Sequence, residues 1–162
     1  PDVLVFETEI LENDLTIAGA IDLNLWFSTN KSAADVVVKL VDVFPSVDDN
    51  VNKADMEKGN RHELVRWGVL RGRFRESMSK PKAFVPNQPT EIGFELYDVL
   101  HTFKRGHKLQ IQIQSSMFPF LDLNPQNYVE NIFNAKESDF TRAFHTIYHN
   151  DEHQSSISFN VL

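Results

Sequence analysis

The sequence predicts an all-β fold, either a sandwich or a barrel. Apolar and polar residues alternate with a period of two in many stretches. LQIQIQ at 109–114 is one of them, and it predicts a strand with one buried and one solvated face. Turn-forming residues recur between these stretches, and helix signals are few. Eight or so strands at this spacing are typical of a sandwich or a barrel.

Each strand is predicted from its own pattern. The stretch DVVVKLVDVFP is apolar on both faces, so we expect residues 36–44 to form a central strand, which Pro45 ends. In 21–27 and in 92–97, apolar residues alternate with polar ones. The full set of predicted strands is 3–8, 15–19, 21–27, 36–44, 69–76, 92–97, 109–114, 144–149 and 157–161.

Two segments interrupt this rhythm. Residues 46–62 are polar and charged, which predicts a long hairpin loop. Within 123–142, the part around 128–140 is the one place where we expect that a short helix could form. No internal repeat or low-complexity tract is visible.

Composition excludes several classes of function. The 162 residues suit one domain, and a hydrophobic fraction of 41% with 13 Phe favours a packed core over disorder. A net charge of −7 argues against nucleic acid and against anionic membrane surfaces as partners. The absence of Cys excludes disulfides, thiol catalysis and Cys-type zinc sites, and it leaves the cellular compartment open. Because the chain starts at Pro1 and runs at once into a strand pattern, we expect it to be part of a longer protein.

The stretch GHKLQIQIQSSMFPFLDLNP contains the residue types of a hydrolytic triad: His107, Ser115 or Ser116, and Asp122. A strand of this length separates His107 from Ser115 by about 26 Å, so the two cannot hydrogen-bond within it. The chain also has no G-x-S-x-G pentapeptide, which a serine nucleophile on an α/β-hydrolase elbow requires. We therefore interpret the serines as the end of a strand, and we predict no catalytic residue in this chain.

HNDEH, from His149 to His153, matches the H-x-x-E-H pattern of some zinc proteases. That pattern binds zinc only on a helix, where both histidines share one face. Here it lies among turn residues between two short strand patterns, so we favour a solvated turn and predict no metal or other cofactor.

The segment GVLRGRFRES places Arg71, Arg73 and Arg75 on one face of a predicted strand. Such a row could capture an anion, or it could pair with acidic side chains on neighbouring strands. We favour structural pairing. Asp42, the acid within the apolar central strand, is the expected partner because a half-buried carboxylate needs one.

Trp26 and Trp67 raise the alternative of a carbohydrate-binding module. Sandwich domains often stack sugars on exposed aromatic rings, and Trp26 lies in phase with the polar residues of its strand. Two tryptophans alone do not make a platform, and they could equally cover a sandwich edge or form a domain interface.

Several segments together resemble a known family. They are PDVLVFETEIL, AADVVVKLVDVFP, GVLRGRFRES and FKRGHKLQIQIQSSMFPFLDLNP, in this order and with plausible gaps. They are similar to the C-terminal domain of the X-prolyl dipeptidyl aminopeptidase superfamily, which includes cocaine esterase, α-amino-acid ester hydrolases and glutaryl acylases. The pairing of KLVDVFP with GHKLQIQIQSSMFP is the most specific part. Phe120, Leu123 and Asn160 depart from the residues usual at their positions.

The resemblance implies a jelly-roll, galactose-binding-like β-sandwich over residues 1–162 that lacks its first strands. It also implies that the partner of this domain is an α/β-hydrolase catalytic domain of the same parent chain, which carries the Ser, His and Asp. The first hypothesis is therefore a non-catalytic accessory domain of a serine hydrolase; the alternatives are a free-standing carbohydrate-binding module and a small metalloprotease. Because an unpaired strand edge favours self-association, a homo-oligomer is a further expectation.

Overall fold

The computed structural model describes residues 2–46 and 59–162, and these residues form a β-sandwich of two antiparallel sheets. The first sheet has the strand order β1-β6-β3-β4, and in the second sheet β5, β7 and β8 all pair with β2. The strands are β1 Val3–Glu7, β2 Leu15–Thr29, β3 Asp35–Val43, β4 His62–Arg71, β5 Thr90–Phe103, β6 Lys108–Gln114, β7 His145–Tyr148 and β8 Ser156–Val161. The sandwich prediction is confirmed, and the finer jelly-roll connectivity stays a prediction.

The core lies between the two sheets and is built from the inward-facing half of each alternating strand. The second sheet contributes Ile17, Ile21, Leu23, Leu25, Phe27, Ile92, Leu96, Val99 and Phe103, and the first contributes Val36, Val38, Leu40, Leu109, Ile111 and Ile113. Removing this apolar surface from water stabilises the fold by about 25 cal/mol per Å². The central position predicted for β3 is also confirmed, because β6 and β4 flank it.

The segments predicted as two strands, 15–19 and 21–27, form the single long strand β2. The pairing register with β5 shifts between Gly19 and Ile21, which marks a bulge. Gly19 has a φ of 89°, a conformation that glycine adopts readily, so the chain bends there without leaving the sheet.

The helix considered at 128–140 is absent. That segment contains two single 3₁₀ turns, Ile132–Asn134 and Glu137–Asp139. The Asn131 side chain accepts a hydrogen bond from the Phe133 backbone N–H at 3.0 Å, and Asp139 accepts one from the backbone of Lys136 at 2.8 Å. Such local side-chain bonds compete with helix propagation, which explains why each turn stops.

The Gln face of 109–114 is less solvated than expected. Gln110 is only 2% exposed, and its amide donates to the Glu7 carboxylate on β1, while the Gln112 amide donates to the Gln110 carbonyl oxygen. The first bond joins two strands and the second lies along β6, and together they let the polar side chain of Gln110 be buried. The predicted loop 46–62 falls mostly on residues 47–58, which lie outside the described residues.

The two lateral sides of the sandwich differ. On the closed side, defined by the edge strands β4 and β5, the sheets meet: a Cβ on Gly68 of β4 would lie 2.6 Å from Leu96 Cδ2 of β5. On the open side, defined by β1 in one sheet and by β7 and β8 in the other, a groove separates the edges. Within the described residues, no helix is long and apolar enough to cross a bilayer.

Candidate functional site

The residues considered for a hydrolytic triad, His107, Ser115, Ser116 and Asp122, do not hydrogen-bond to one another. His107 Nδ1 lies 2.7 Å from Asp42 Oδ1, whereas Asp122 Oδ2 accepts from Arg71 Nη2 at 3.1 Å. Ser115 and Ser116 follow the far end of β6, and the Ser116 carbonyl accepts from the Gln114 amide. Imidazole, hydroxyl and carboxylate are thus spread over three places.

Asp42 joins two histidines inside the sandwich. Its carboxylate is 2% exposed and contacts His101 Nε2 at 2.9 Å in addition to His107 Nδ1. The Phe44 ring lies against His107, with the ring centroids 4.3 Å apart. Because His101 is on β5, this Asp42–His101–His107 cluster connects the two sheets.

The prediction that Asp42 pairs with the arginine row is wrong. Asp42 follows Val38 and Leu40 on the inner face of β3, so it points toward the second sheet and away from any neighbour on the outer face. Sequence reasoning missed His101 as the partner of Asp42. The alternation along β5 indicated that His101 faces inward, because it is in phase with the buried Val99 and Phe103.

The cluster has two parts of an acid–base relay, a buried carboxylate and imidazoles oriented by it. Among the described residues, both imidazoles bond to Asp42 and no hydroxyl or thiol joins them. The arrangement therefore gives a buried carboxyl group two hydrogen-bond partners, without which its burial would be costly.

His149 and His153 do not share a helix face. His149 forms an isolated bridge with Gln154, and the His153 imidazole meets the Trp26 indole edge to face at a centroid distance of 4.4 Å. Over residues 2–46 and 59–162, no group of three or more His, Cys, Asp or Glu is arranged to hold a metal ion.

The three arginines do not share a strand face. β4 ends at Arg71, and a 3₁₀ turn, Gly72–Phe74, follows. The position requires glycine, because a Cβ there would lie 2.6 Å from the Ala34 carbonyl oxygen, which accepts from the Gly72 N–H at 2.9 Å. The strand predicted at 69–76 is therefore wrong in its bounds.

Each arginine hydrogen-bonds to a different part of the chain, and backbone carbonyls are the main acceptors. Arg73 donates to the carbonyls of Val129 and Glu130, both at 2.9 Å. Arg75 donates to the Lys82 and Ala83 carbonyls at 2.7 and 2.9 Å. The preference for a structural role over anion capture is thus supported. The main partners of Arg73 and Arg75 are backbone carbonyls, whereas acidic side chains were expected.

The two tryptophans lie on opposite outer faces of the sandwich. Trp26 is on β2 opposite Tyr148, on the outer face of the second sheet. Trp67 is on β4 opposite Lys39, on the outer face of the first sheet. They cannot form one sugar-binding platform.

The groove of the open side consists of two cavities, of 370 and 430 Å³, which share Ile113 and Ile147; we call this groove the trench. One end of the trench is apolar. The other end is partly polar. The apolar end is lined by Phe6, Leu23, Leu25, Ile111 and Ile157, and the polar end by Leu4, Asp35, Ser116, Arg142 and His145.

Two titratable groups at the polar end are affected by burial. Desolvation raises the pKa of Asp35 above its ordinary value, and a hydrogen bond from Asn124 at 2.9 Å opposes that shift. Desolvation lowers the pKa of His145, so the neutral imidazole is favoured. Within the described part of the chain, His145 Nδ1 is buried and has no hydrogen-bond partner.

Residues 1–158 match the family model described as the X-Pro dipeptidyl-peptidase C-terminal non-catalytic domain. The chain belongs to this family. The resemblance seen in the sequence motifs is therefore confirmed. The family is one of C-terminal domains that are non-catalytic.

Individual relatives agree with this membership. The chain is 27% identical over 161 residues to the cocaine esterase of Rhodococcus sp. (strain MB1 Bresler). It superposes on an α-amino acid ester hydrolase structure with a TM-score of 0.93 and 44% identity, and on an aminopeptidase from a marine sediment Thaumarchaeota archaeon with a TM-score of 0.92 and 36% identity. These matches cover 99–100% of this chain but only 26% of each relative, so this domain is about a quarter of the length of those proteins.

Proposed function

We propose that this chain is the accessory β-sandwich of a larger hydrolase, in which it packs on an α/β-hydrolase catalytic domain, stabilises it and borders its active-site cleft. The observation that carries this proposal is the family match over residues 1–158 together with the 26% share of each relative. Two of these relatives are ester hydrolases and one is an aminopeptidase, which supports an ester or amide as the substrate class.

The proposed reaction of the parent is acyl transfer through a serine. The serine Oγ adds to the substrate carbonyl carbon while a histidine takes its proton, and the same histidine returns that proton to the leaving alcohol or amine. Water then hydrolyses the acyl-serine ester. We assign these groups to the part of the parent outside the 162 residues, in keeping with the lack of a G-x-S-x-G elbow here.

The surface of the domain supports a role in packing. The connection between β6 and β7 exposes Phe118, Phe120, Phe133, Phe140 and Phe144, whose exposed fractions run from 43% to 79%. Five exposed phenylalanines in one connection support the proposal that this surface packs on another part of the parent protein.

The location of the nucleophile tests the proposal in the purified parent. Inactivation with a serine-directed fluorophosphonate, followed by peptide mass spectrometry, should place the label outside these 162 residues. The double variant Ser115→Ala/Ser116→Ala should keep kcat/KM within about twofold of the parent value, because neither hydroxyl acts on substrate. A label on Ser115 or Ser116, or loss of turnover in the double variant, would refute the assignment.

A further inference from the structure

The outer face of the first sheet is rich in apolar side chains. Val37 and Val41 of β3 alternate with the core residues Val36, Val38 and Leu40, so they point away from the core. A strand that is apolar on both of its faces is typical of a sheet that is covered on both sides. We call this outer face the valine face. Its apolar members are Val3, Val5, Val37, Val41, Val43, Leu64, Trp67 and Val69.

The valine face is covered only at its centre. Val37 and Val41 are almost fully buried, whereas Val3, Val5 and Leu64 on the edge strands β1 and β4 are 41%, 50% and 47% exposed. Apolar side chains left in water on one face of a sheet lose the stabilisation that burial would give them. Such a face is the kind of surface that contacts another protein surface.

The polar side chains of the valine face bond to one another. Lys39 donates to the Gln114 amide oxygen at 3.0 Å, and Lys108 donates to the Glu7 carboxylate at 3.1 Å. The Glu7 carboxylate also accepts from the Gln110 amide. Because these groups already have partners within the face, a covering surface could exclude water without leaving them unsatisfied.

The outer face of the second sheet has the opposite character. The strands β2, β5, β7 and β8 contain no Lys or Arg, and they contain the acids Asp22, Glu91, Glu95 and Asp98. Asp22 and Glu95 are exposed and lie directly opposite each other. Like charges in this arrangement repel, and the repulsion is weakest in water because of its high dielectric constant. This face is therefore suited to solvent.

The valine face is continuous with the connection between β6 and β7. Arg71, on the outer face at the end of β4, donates to Asp122 of that connection at 3.1 Å. At the end of β6, the Gln114 amide donates to the Ser116 carbonyl. Both ends of segment 116–122 are thus held beside the valine face. The exposed phenylalanines of this segment are Phe118 and Phe120.

We propose that the valine face, together with segment 116–122, is the surface by which this domain packs on the catalytic part of the parent protein, and that the outer face of the second sheet faces solvent. This inference rests on the proposed function, which gives the domain a catalytic partner but does not say which surface that partner covers. The complementary surface is mainly apolar, because the polar side chains of the valine face already bond to one another. This chain covers only 26% of each matched relative, so enough polypeptide remains to form that partner.

Cysteine accessibility in the intact parent tests which outer face is covered. Residues 1–162 contain no Cys, so Val5→Cys and Leu64→Cys each add one thiol on the valine face, and Tyr97→Cys and Ser158→Cys are controls at exposed positions of the second sheet. Alkylation by N-ethylmaleimide, read at each site by peptide mass spectrometry, should be at least about tenfold slower on the valine face than at the controls. In the domain itself Val5 and Tyr97 are 50% and 78% exposed, so a difference of that size requires a covering partner. Two positions on each face keep the test decisive if one variant does not fold.

Photocrosslinking in the parent identifies the partner. The photoreactive amino acid p-benzoylphenylalanine in place of Trp67 should join a peptide of the same chain from outside residues 1–162, at protein concentrations where size-exclusion chromatography shows monomer. The same amino acid in place of Tyr97 should give no crosslink to that part of the chain.

Two results would overturn the proposal: equal alkylation rates on the two faces, or no crosslink from the Trp67 position to the rest of the same chain. If crosslinks to the rest of the chain came only from the Tyr97 position, the partner would cover the second sheet. The face assigned here would then be wrong, and the accessory role would stand. None of these readouts uses turnover, so a failure here is distinguishable from a misplaced nucleophile.

Discussion

The closed and open sides of this sandwich differ in how the edges of the two sheets meet. On the closed side, Gly68 lets β4 approach β5, and Arg66 donates to the Asp98 carbonyl across the gap. Toward the same side, Asp42 of β3 bonds to His101 of β5, so polar as well as apolar contacts join the sheets. On the open side, the sheets stay apart and leave the trench between β1 and β8.

The difference shows what closing a sandwich requires. Where the edges meet, Gly68 lets the two sheets approach closely, and long-range hydrogen bonds join them. Where they do not meet, Leu4 and Phe6 of β1 remain exposed and, within the described residues, the buried Nδ1 atom of His145 has no hydrogen-bond partner. Within the described residues, the two sheets are therefore in contact on the closed side and separated by the trench on the open side.

The largest effect is expected from Asp42→Ala, which removes the acceptor that both His101 and His107 use. The variant leaves two partly buried imidazole N–H groups without an acceptor, at about 1–3 kcal/mol each, so the free energy of unfolding should fall by about 2–6 kcal/mol. The measurement is urea denaturation followed by tryptophan fluorescence. Asp22→Ala, at an exposed position of β2, is the control and should stay within about 0.5 kcal/mol of the unmodified protein. A loss below about 1 kcal/mol for Asp42→Ala would mean that the cluster does not hold the sheets together.

A smaller effect is expected from Gly68→Ala, which inserts a methyl group where the closed side has no room. The new Cβ would lie 2.6 Å from Leu96 Cδ2, and Leu96 is fully buried, so the sheets must move apart at a cost of about 1–3 kcal/mol. Gly93→Ala is the matched control on β5, since its Cβ would meet the Leu23 carbonyl oxygen at an ordinary 3.5 Å. Equal denaturation midpoints for the two variants would contradict the close approach of β4 and β5.

The smallest effect concerns the open side and depends on pH. Burial lowers the pKa of His145 from its ordinary value of 6.5, so the unfolded chain binds a proton at His145 more readily than the folded chain. The contribution of this histidine to stability should therefore be lost as pH falls from 6.5 through its folded pKa. His145→Gln cannot titrate, so the stability of the unmodified protein relative to this variant should decrease on acidification in paired denaturation curves. If the difference in the free energy of unfolding between the two proteins does not change with pH, burial does not lower the pKa of His145.

Much of the strand layout was predictable, because alternation is a local property. The pattern in 36–44 and 109–114 predicted β3 and β6 nearly to the residue. The bounds of β4 were not predictable, since β4 ends at Arg71, opposite Asp35, where its partner strand β3 begins. The segment 128–140 was ambiguous for the opposite reason: capping bonds of Asn131 and Asp139, each within a few residues, outweighed a weak helical pattern.

The site was less predictable than the fold. The phase of Asp42 along β3 indicated an inward carboxylate in need of a partner, but alternation alone does not reveal which strand lies opposite. His101 was in phase with its buried neighbours, yet nothing local distinguishes it as the partner of a residue 59 positions away.

By itself, the sequence determined which residues of strands such as β3 and β6 face inward and to which family the chain belongs, because periodicity and motif order are carried by neighbouring residues. Only the tertiary structure decided the partners of Asp42 and of the three arginines, and only it showed that one side of the sandwich is closed and the other open. These features depend on contacts between residues far apart in the chain, and such contacts exist only once the two sheets have packed.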